Sequence, residues 1–323
     1  MKSKPHITIY SSRFGGPYSQ YRILQREFTR KGYAVTMHHR PLPMLRSLLF
    51  DKKDVVISLV PLPFRFGANR YILNIKGEYP AERHLLRNPL AYLYPRATRI
   101  ADAVVVPSQF LKKTLHLRDA IVIPNCIGSQ PAPRRHQHDK GLRLITATNF
   151  SFRTKARGLL TLLRALAATK TTKPIIYDIY GDGTFLDETT TAAKRITFPA
   201  NIHVTFRGHT DSLHRELATS DIFLYWSEHD NMPNAVLEAM AAGLPIITNN
   251  VGAIPEMIRH GKDGLIVTKQ TLPQALNDVL SKPALRQRLG TAARARAAAT
   301  FSTASIADRW LALAQPTLRT ARR

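Results

Sequence analysis

Asp230 and Glu238 stand eight positions apart in "SEHDNMPNAVLEAM" (227–240), with Asn231, Met232, Pro233 and Asn234 between them. Proline suits the first turn of a helix, because the N–H it lacks would have no partner there. The spacing therefore predicts a helix starting near Pro233 or Asn234, whose first backbone N–H groups can receive phosphate oxygens. Asp230 stands at its mouth, and Glu238 lies one turn inside, four residues after Asn234. Taken singly, Asp230 reads as a helix cap and Glu238 as a solvent-facing acid. As a pair eight positions apart, followed by "AMAAGLP", they are a much more specific signal of a site.

A second cluster lies upstream in "NFSFRTKARG" (149–158), where Arg153, Lys155 and Arg157 fall within five residues in a loop entering a helix. Cations at a helix N-terminus oppose the helix dipole. An anionic ligand such as a diphosphate would reverse that penalty; solvated side chains in a basic protein are the plain alternative. A third loop, "RFGGPY" (13–18), places Gly15 and Gly16 ahead of a helix. They permit a tight turn and close approach of a ligand to the backbone, but lack the spacing of the dinucleotide fingerprint.

All three loops follow strand-like runs. "HITIY", "YAVTMHH", "DVVISLVP", "RYILNI", "ADAVVVPS" and "AIVIPN" alternate with helical stretches, of which "YRILQREFTRKG" sets Tyr21, Leu24 and Phe28 on one face and ends at Gly32. After a Pro-rich polar segment, "GSQPAPRRHQHDKG" (128–141), the alternation restarts with "LRLITAT", "PIIYDIYG", "IHVTF", "DIFLYWS", "PIITNN" and "GLIVT". Continuous Val/Ile runs between helices predict parallel sheets buried on both faces. Two such halves predict two doubly wound α/β domains facing across a cleft, with ligands beyond the carboxyl ends of the strands. The expected bounds are 1–130, 131–305, and a C-terminal helix in 306–323 packing back on the first domain.

Composition narrows the function classes. The 323 residues are 44% hydrophobic and contain no apolar run of membrane-spanning length. The N-terminal apolar stretch is too short for a signal peptide, so a cytoplasmic location is expected. One cysteine, Cys126, excludes an internal disulfide, and the 12 histidines never fall into a compact zinc spacing. The excess of 47 basic over 22 acidic residues is spread along the chain: residues 1–130 hold 21 against 7, and residues 131–323 hold 26 against 15. Such a field attracts an anionic partner.

"DNMPNAVLEAMAAGLPIITNNVGAIPEMIRHGKDGLIV" resembles the signature of the retaining glycosyltransferases of family 4, which have the GT-B fold of two facing Rossmann-like domains. "IVIPN" (121–125), "YGDG" (180–183), "NIHVTFRGH" (201–209) and "ATSDIFLYWS" (218–227) occur in that family's order. The resemblance is strongest over 121–268 and rests over 1–120 on the glycine loop and "RIADAVVVPS".

It implies transfer of a sugar from a nucleotide diphosphate-sugar to a hydroxyl acceptor with retention, in cell-envelope polysaccharide, lipopolysaccharide or glycolipid synthesis. No cofactor and no obligatory metal are expected. Glu238 matches the carboxylate that binds the ribose hydroxyls, and Asp230 stands where the family usually has a glutamate at the donor sugar. The backbone of Asn231, Met232, Pro233 and Asn234, together with Gly15, Gly16, Gly208 and His209, would complete the donor site. Lys155 or Arg157 matches the phosphate-binding lysine, and Asn149 or Arg153 the preceding arginine. Lys155 and Asp230 are the expected catalytic pair. Three positions depart from the family: Lys76 where many members carry a histidine, Cys126 for the glycine after "PN", and Ala253 for the second glycine of a pair.

The charge on residues 1–130 is not explained by a donor site in the second half. Basic and apolar residues alternate in "HHRPLPMLRSLLFDKK" (38–53) and "RHLLRNPLAYLYPRATR" (83–99), where Leu85, Leu86, Leu90, Tyr92 and Leu93 could form an apolar patch flanked by arginines. This predicts peripheral binding to an anionic membrane, on the inner face of the cytoplasmic membrane, where a lipid-linked acceptor is presented. Core packing of the same leucines is the alternative. A basic nucleic-acid-binding protein or a non-catalytic sugar-nucleotide binder are the rival readings. For the first, the nearest basic and aromatic stretch is "PFRFGANRY" (63–71), and a nucleic-acid partner is not expected.

Overall fold

The computed structural model describes residues 4–12, 15–79, 89–128 and 141–315. The chain forms two compact units, Met1–Cys126 with Ser302–Arg323, and Ile127–Phe301. The first crossing therefore falls at 126/127, ahead of the expected 130, and the second at 301/302, ahead of 305. A capping interaction fixes the second crossing: the Ser302 hydroxyl accepts from Ser305 N and starts the last helix there.

The first unit runs β1 (Ile7–Tyr10), α1 (Gly15–Arg30), β2 (Val35–His38), α2 (Pro41–Phe50), β3 (Lys53–Ser58) and β4 (Ala68–Asn74). A 3-10 turn (Pro89–Leu93), α3 (Tyr94–Ile100), β5 (Ala103–Val106), α4 (Gln109–Thr114) and β6 (Ile121–Val122) follow. Its strands form one sheet in the order β2-β1-β3-β4-β5-β6. All of its pairings are parallel. One face is packed by Tyr21, Leu24 and Phe28 of α1 and by Ile306, Ala307, Trp310 and Leu311 of the last helix, α12 (Thr303–Ala314). The three residues placed on one face of α1 by periodicity are all buried, and Gly32 ends that helix with φ +80°.

The second unit runs β7 (Leu142–Ala147), α5 (Arg153–Ala167), β8 (Ile175–Tyr180), α6 (Leu186–Ala193), β9 (Ile202–Gly208), α7 (Leu213–Ala218), β10 (Ile222–Tyr225) and α8 (Asn234–Ala242). It closes with β11 (Ile246–Asn249), α9 (Ile254–Met257), β12 (Leu265–Val267), α10 (Leu272–Ser281) and α11 (Pro283–Thr300). The strand order is β12-β11-β10-β7-β8-β9, again all parallel. The chain winds outward from β7 in one direction and from β10 in the other. The two central strands, paired at Phe223 and Ile145, thus bound a topological switch point. A crevice opens beyond the carboxyl ends of the strands at such a point. The sheet is buried on both faces, under α5 and α10 on one side and α8 on the other.

Candidate active site

The loops after β7 and β10 both run into helices whose N-termini no side chain caps. α5 has Phe152 at its N-cap position and α8 has Pro233. Neither helix carries an acid in its first turn. Two helix ends without a side-chain cap, each the positive end of a helix dipole, therefore follow the strands that bound the switch point, an arrangement suited to an anion.

From α5, Lys155 places its ammonium 2.7 Å from Asp230 Oδ2. Asp230 is not the cap of α8: that position belongs to Pro233. Its carboxylate is held from other directions instead. The hydroxyl of Tyr225, the last residue of β10, donates to Oδ2, and Asn231 N donates to Oδ1 at 2.8 Å. Tyr225 is buried, and its phenol is pushed well above the usual tyrosine range by that burial and by the adjacent carboxylate. The tyrosine stays a proton donor to Asp230 at any working pH.

The other two members of the basic trio turn elsewhere. Arg153 Nη1 meets Glu188 at 3.1 Å and its guanidinium lies 4.7 Å from the centre of the Phe185 ring. Arg157 reaches Glu228 at 3.7 Å. Of the three cations, Lys155 alone is paired with Asp230. Asn149 closes its own turn, accepting from Ser151 N at 2.8 Å.

Glu238 lies inside α8 and is only partly exposed. Its carboxylate makes no hydrogen bond or ion pair among the described residues, and desolvation alone pushes its ionisation up to about 7. A carboxylate that is desolvated and unsatisfied has acceptor capacity to offer a ligand.

The loop carrying Asp230 is rigid. The Ser227 hydroxyl donates to His229 O at 2.7 Å, and Asn249 Nδ2 donates to Ser227 O at 2.7 Å. The turn after β11 presses against it, with Ala253 N donating to Asn231 O at 2.7 Å. Gly252 has φ +54°, and a Cβ there would lie 1.9 Å from Asp230 O. Ala253 needs no such freedom, with φ −86°, which explains why an alanine can stand at the second position of the pair.

Beyond the neighbouring strands, Gly181 and Gly183 let the turn after β8 pack onto residues 148–151, where a Cβ would come within 1.9 and 2.2 Å of backbone. Gly208 ends β9 with φ +71°, and His209 Nε2 lies 3.1 Å from Asp211 Oδ1. Both stand at the carboxyl edge of the same sheet, at its outer strand.

In the first unit, Gly15 opens α1 with φ +84°, the conformation for which glycine is needed, and Gly16 follows inside the helix. Lys76 lies just beyond β4, partly buried, and donates to Asn125 Oδ1. Burial lowers its ammonium to about 8. Cys126 is locked onto α1: its N–H donates to Gln20 Oε1 at 2.8 Å and its carbonyl accepts from Gln20 Nε2 at 2.9 Å. Burial raises its thiol to about 11, so it stays protonated and unreactive.

Sequence reasoning missed Tyr225. In "DIFLYWS" an inward aromatic at the end of a buried strand has the same pattern as any core residue. No local signal marks its hydroxyl as a partner of Asp230.

Two doubly wound parallel sheets of six strands each define a GT-B protein. The chain belongs to the glycosyl transferases group 1 family, whose family model matches residues 135–296. It is 27% identical over 283 residues to the lipopolysaccharide core biosynthesis glycosyltransferase LpsE of Rhizobium meliloti, covering 84% of this chain and 79% of that protein. The spore coat protein SA of Bacillus subtilis is 36% identical over 118 residues, 34% of this chain; the match spans only 31% of that relative's length. In fold the chain is similar to HepE of Anabaena in complex with UDP-glucose, with a TM-score of 0.77 at 17% identity, over 95% of this chain and 98% of that one.

Proposed function

We propose that this protein is a retaining glycosyltransferase of family 4 that moves a sugar from a nucleotide diphosphate-sugar to a hydroxyl acceptor. The observation that carries this reading is the unsatisfied Glu238 carboxylate, one turn inside an uncapped helix whose mouth holds the Lys155–Asp230 pair. Glu238 accepts from the vicinal hydroxyls of the ribose. The diphosphate lies against the N-termini of α5 and α8, and Lys155 faces it. The sugar lies over the backbone of Asn231–Asn234, within reach of Asp230.

In the reaction the bond from the anomeric carbon to the diphosphate oxygen breaks, and its electron pair leaves with the diphosphate. The acceptor oxygen bonds to the same face of that carbon through an oxocarbenium-like state. The acceptor's proton passes to the departing diphosphate oxygen. Lys155 and the helix N-termini stabilise the charge that grows there, without an obligatory metal. Asp230, fixed by Tyr225, orients the ammonium of Lys155 and stabilises the positive charge developing on the sugar.

The names of LpsE and of a fold neighbour, the lipopolysaccharide outer core galactosyltransferase WaaB, support an acceptor in a cell-envelope glycan or glycolipid. No described helix is long and apolar enough to cross a membrane, so a lipid-linked acceptor would be met peripherally, on the cytoplasmic face. The test is a screen for donor hydrolysis and transfer over nucleotide-sugars, with and without envelope lipid extracts. One donor turned over preferentially, faster with extract, is the expected result. No binding of any nucleoside diphosphate in calorimetry would end the reading.

A further inference from the structure

Helix α2 has two apolar faces. One is packed: Ser47 is buried with its hydroxyl 3.0 Å from the Tyr10 hydroxyl, and Met44 and Leu48 pack against the core around Tyr71 and Leu73. The other face is bare. Leu42, Leu45 and Leu49, at helical spacing, are 79%, 53% and 59% exposed, and Phe50 is 78% exposed. A water-facing leucine is ordinary, but four large apolar residues on one ten-residue helix form a patch that calls for a partner.

Lys53 Nζ donates to Asp51 O at 2.6 Å and to Phe66 O at 3.1 Å, which ties Phe66 to the residue that ends α2. In the loop before Phe66, Phe64 is exposed too, with the Arg96 guanidinium 4.8 Å from its ring centre. Exposed Arg40, Arg46 and Lys52 flank the leucines. Residues 1–130 carry 21 basic and 7 acidic side chains.

We infer that the outer face of α2 inserts into the interface of an anionic lipid bilayer, with Arg40, Arg46 and Lys52 against the headgroups. An apolar stripe flanked by cations is what an in-plane interfacial helix requires. The charge decides the occupant. A second copy of this chain would bring the same cations against themselves, whereas an anionic bilayer supplies both an apolar layer and the opposite charge. The inference extends the proposed function by naming the surface on which a lipid-linked acceptor is met, and rests on that reading for this purpose only. The stretch 83–99, the other segment of alternating basic and apolar residues, is described only in part. Leu85 and Leu86 lie outside the described residues, Leu90 and Tyr92 are exposed, and Leu93 is partly buried.

The test uses the full chain with vesicles of phosphatidylcholine alone or mixed with phosphatidylglycerol. Sedimentation should show binding to the mixed vesicles only, falling as salt rises from about 0.05 M to about 0.5 M. The triple variant Leu42→Ser, Leu45→Ser, Leu49→Ser should bind at least about tenfold more weakly, and Arg46→Glu about fivefold or more. Trp226 and Trp310 are both buried, so Phe50→Trp adds a reporter on the patch, whose emission should shift to the blue on the mixed vesicles. All variants should bind nucleoside diphosphate as the parent does, which separates this claim from the transferase reading. Equal binding to both vesicles, unchanged binding by the triple variant, or no shift of the introduced indole would overturn the inference. A dimer that the triple substitution makes monomeric, without vesicle binding, would assign the face to a second copy instead.

Discussion

The Lys155 ammonium and the Asp230 carboxylate stand 2.7 Å apart, joined across the switch point between β7 and β10. The pair compensates each charge within the protein itself. A diphosphate entering at the two helix ends competes with Asp230 for the same ammonium. Removing the carboxylate should therefore leave nucleotide affinity intact or improved, and lower turnover. Asp230→Ala is expected to lower kcat at least about tenfold, with the Kd for nucleoside diphosphate unchanged or tighter in calorimetry. Tyr225→Phe should shift turnover in the same direction by a smaller factor. A loss of nucleotide affinity without loss of turnover would remove Asp230 from the reaction.

Glu238 gives a pH dependence whose sign can be worked out. Its folded ionisation lies at about 7, above the ordinary glutamate value. Hydroxyl donors favour the ionised form, so nucleotide affinity should rise with pH and level off above about 7, releasing a proton on binding. Stability of the ligand-free protein should move the opposite way. An acid raised on folding contributes stability below its unfolded value, and that contribution is lost as pH climbs through the folded one. Glu238→Gln should thus raise Tm at pH 8 relative to the parent and leave it nearly unchanged at pH 4. It should weaken nucleoside diphosphate binding by about 1.5–3 kcal/mol and flatten the pH profile. Equal affinities in parent and variant would withdraw the ribose assignment.

If cationic side chains and helix ends compensate the leaving diphosphate, a chelator should leave turnover standing. Among the three basic residues of the loop, Lys155→Ala should lose most affinity for diphosphate relative to nucleoside, since Lys155 stands beside Asp230 at the mouth of α8 while Arg153 and Arg157 turn to Glu188 and Glu228. Inhibition by chelator that a divalent ion restores would count against this arrangement. So would an Arg153→Ala or Arg157→Ala variant weaker than Lys155→Ala.

The backing of the loop is testable without substrate. Gly252→Ala would force a Cβ to 1.9 Å from Asp230 O at a left-handed φ, and should cost about 1–3 kcal/mol of stability together with nucleotide binding. Ala253→Gly should cost about 1 kcal/mol or less. Chemical denaturation of the two variants side by side decides this, and equal losses would refute the division of roles.

The double α/β architecture was legible because buried parallel strands leave continuous apolar runs, as in "AVVV" of β5 and "IFLY" of β10, with helical spacing between them. The face of α1 was legible for the same reason. Linear order likewise made Asp230, Glu238 and the start of α8 readable, because an entrance of acid, amide and proline is local chemistry. Glu238 has no partner among the described residues, however, and no sequence pattern announces an absence.

What the sequence by itself determined was thus the type of each element and the short segments rich in site chemistry. Tertiary structure alone decided which of three cations meets Asp230, because Lys155 and Arg157 lie two residues apart on one helix and differ only in what stands opposite them. The strand order, which brings the loop after β7 beside the loop after β10 across 70 or so residues of chain, makes Lys155 the partner. It also places Tyr225 beneath the carboxylate. Periodicity made α2 an apolar helix, but only the folded chain left Leu42, Leu45 and Leu49 bare, since hydrophobicity fixes a preference for burial and packing determines whether it is met.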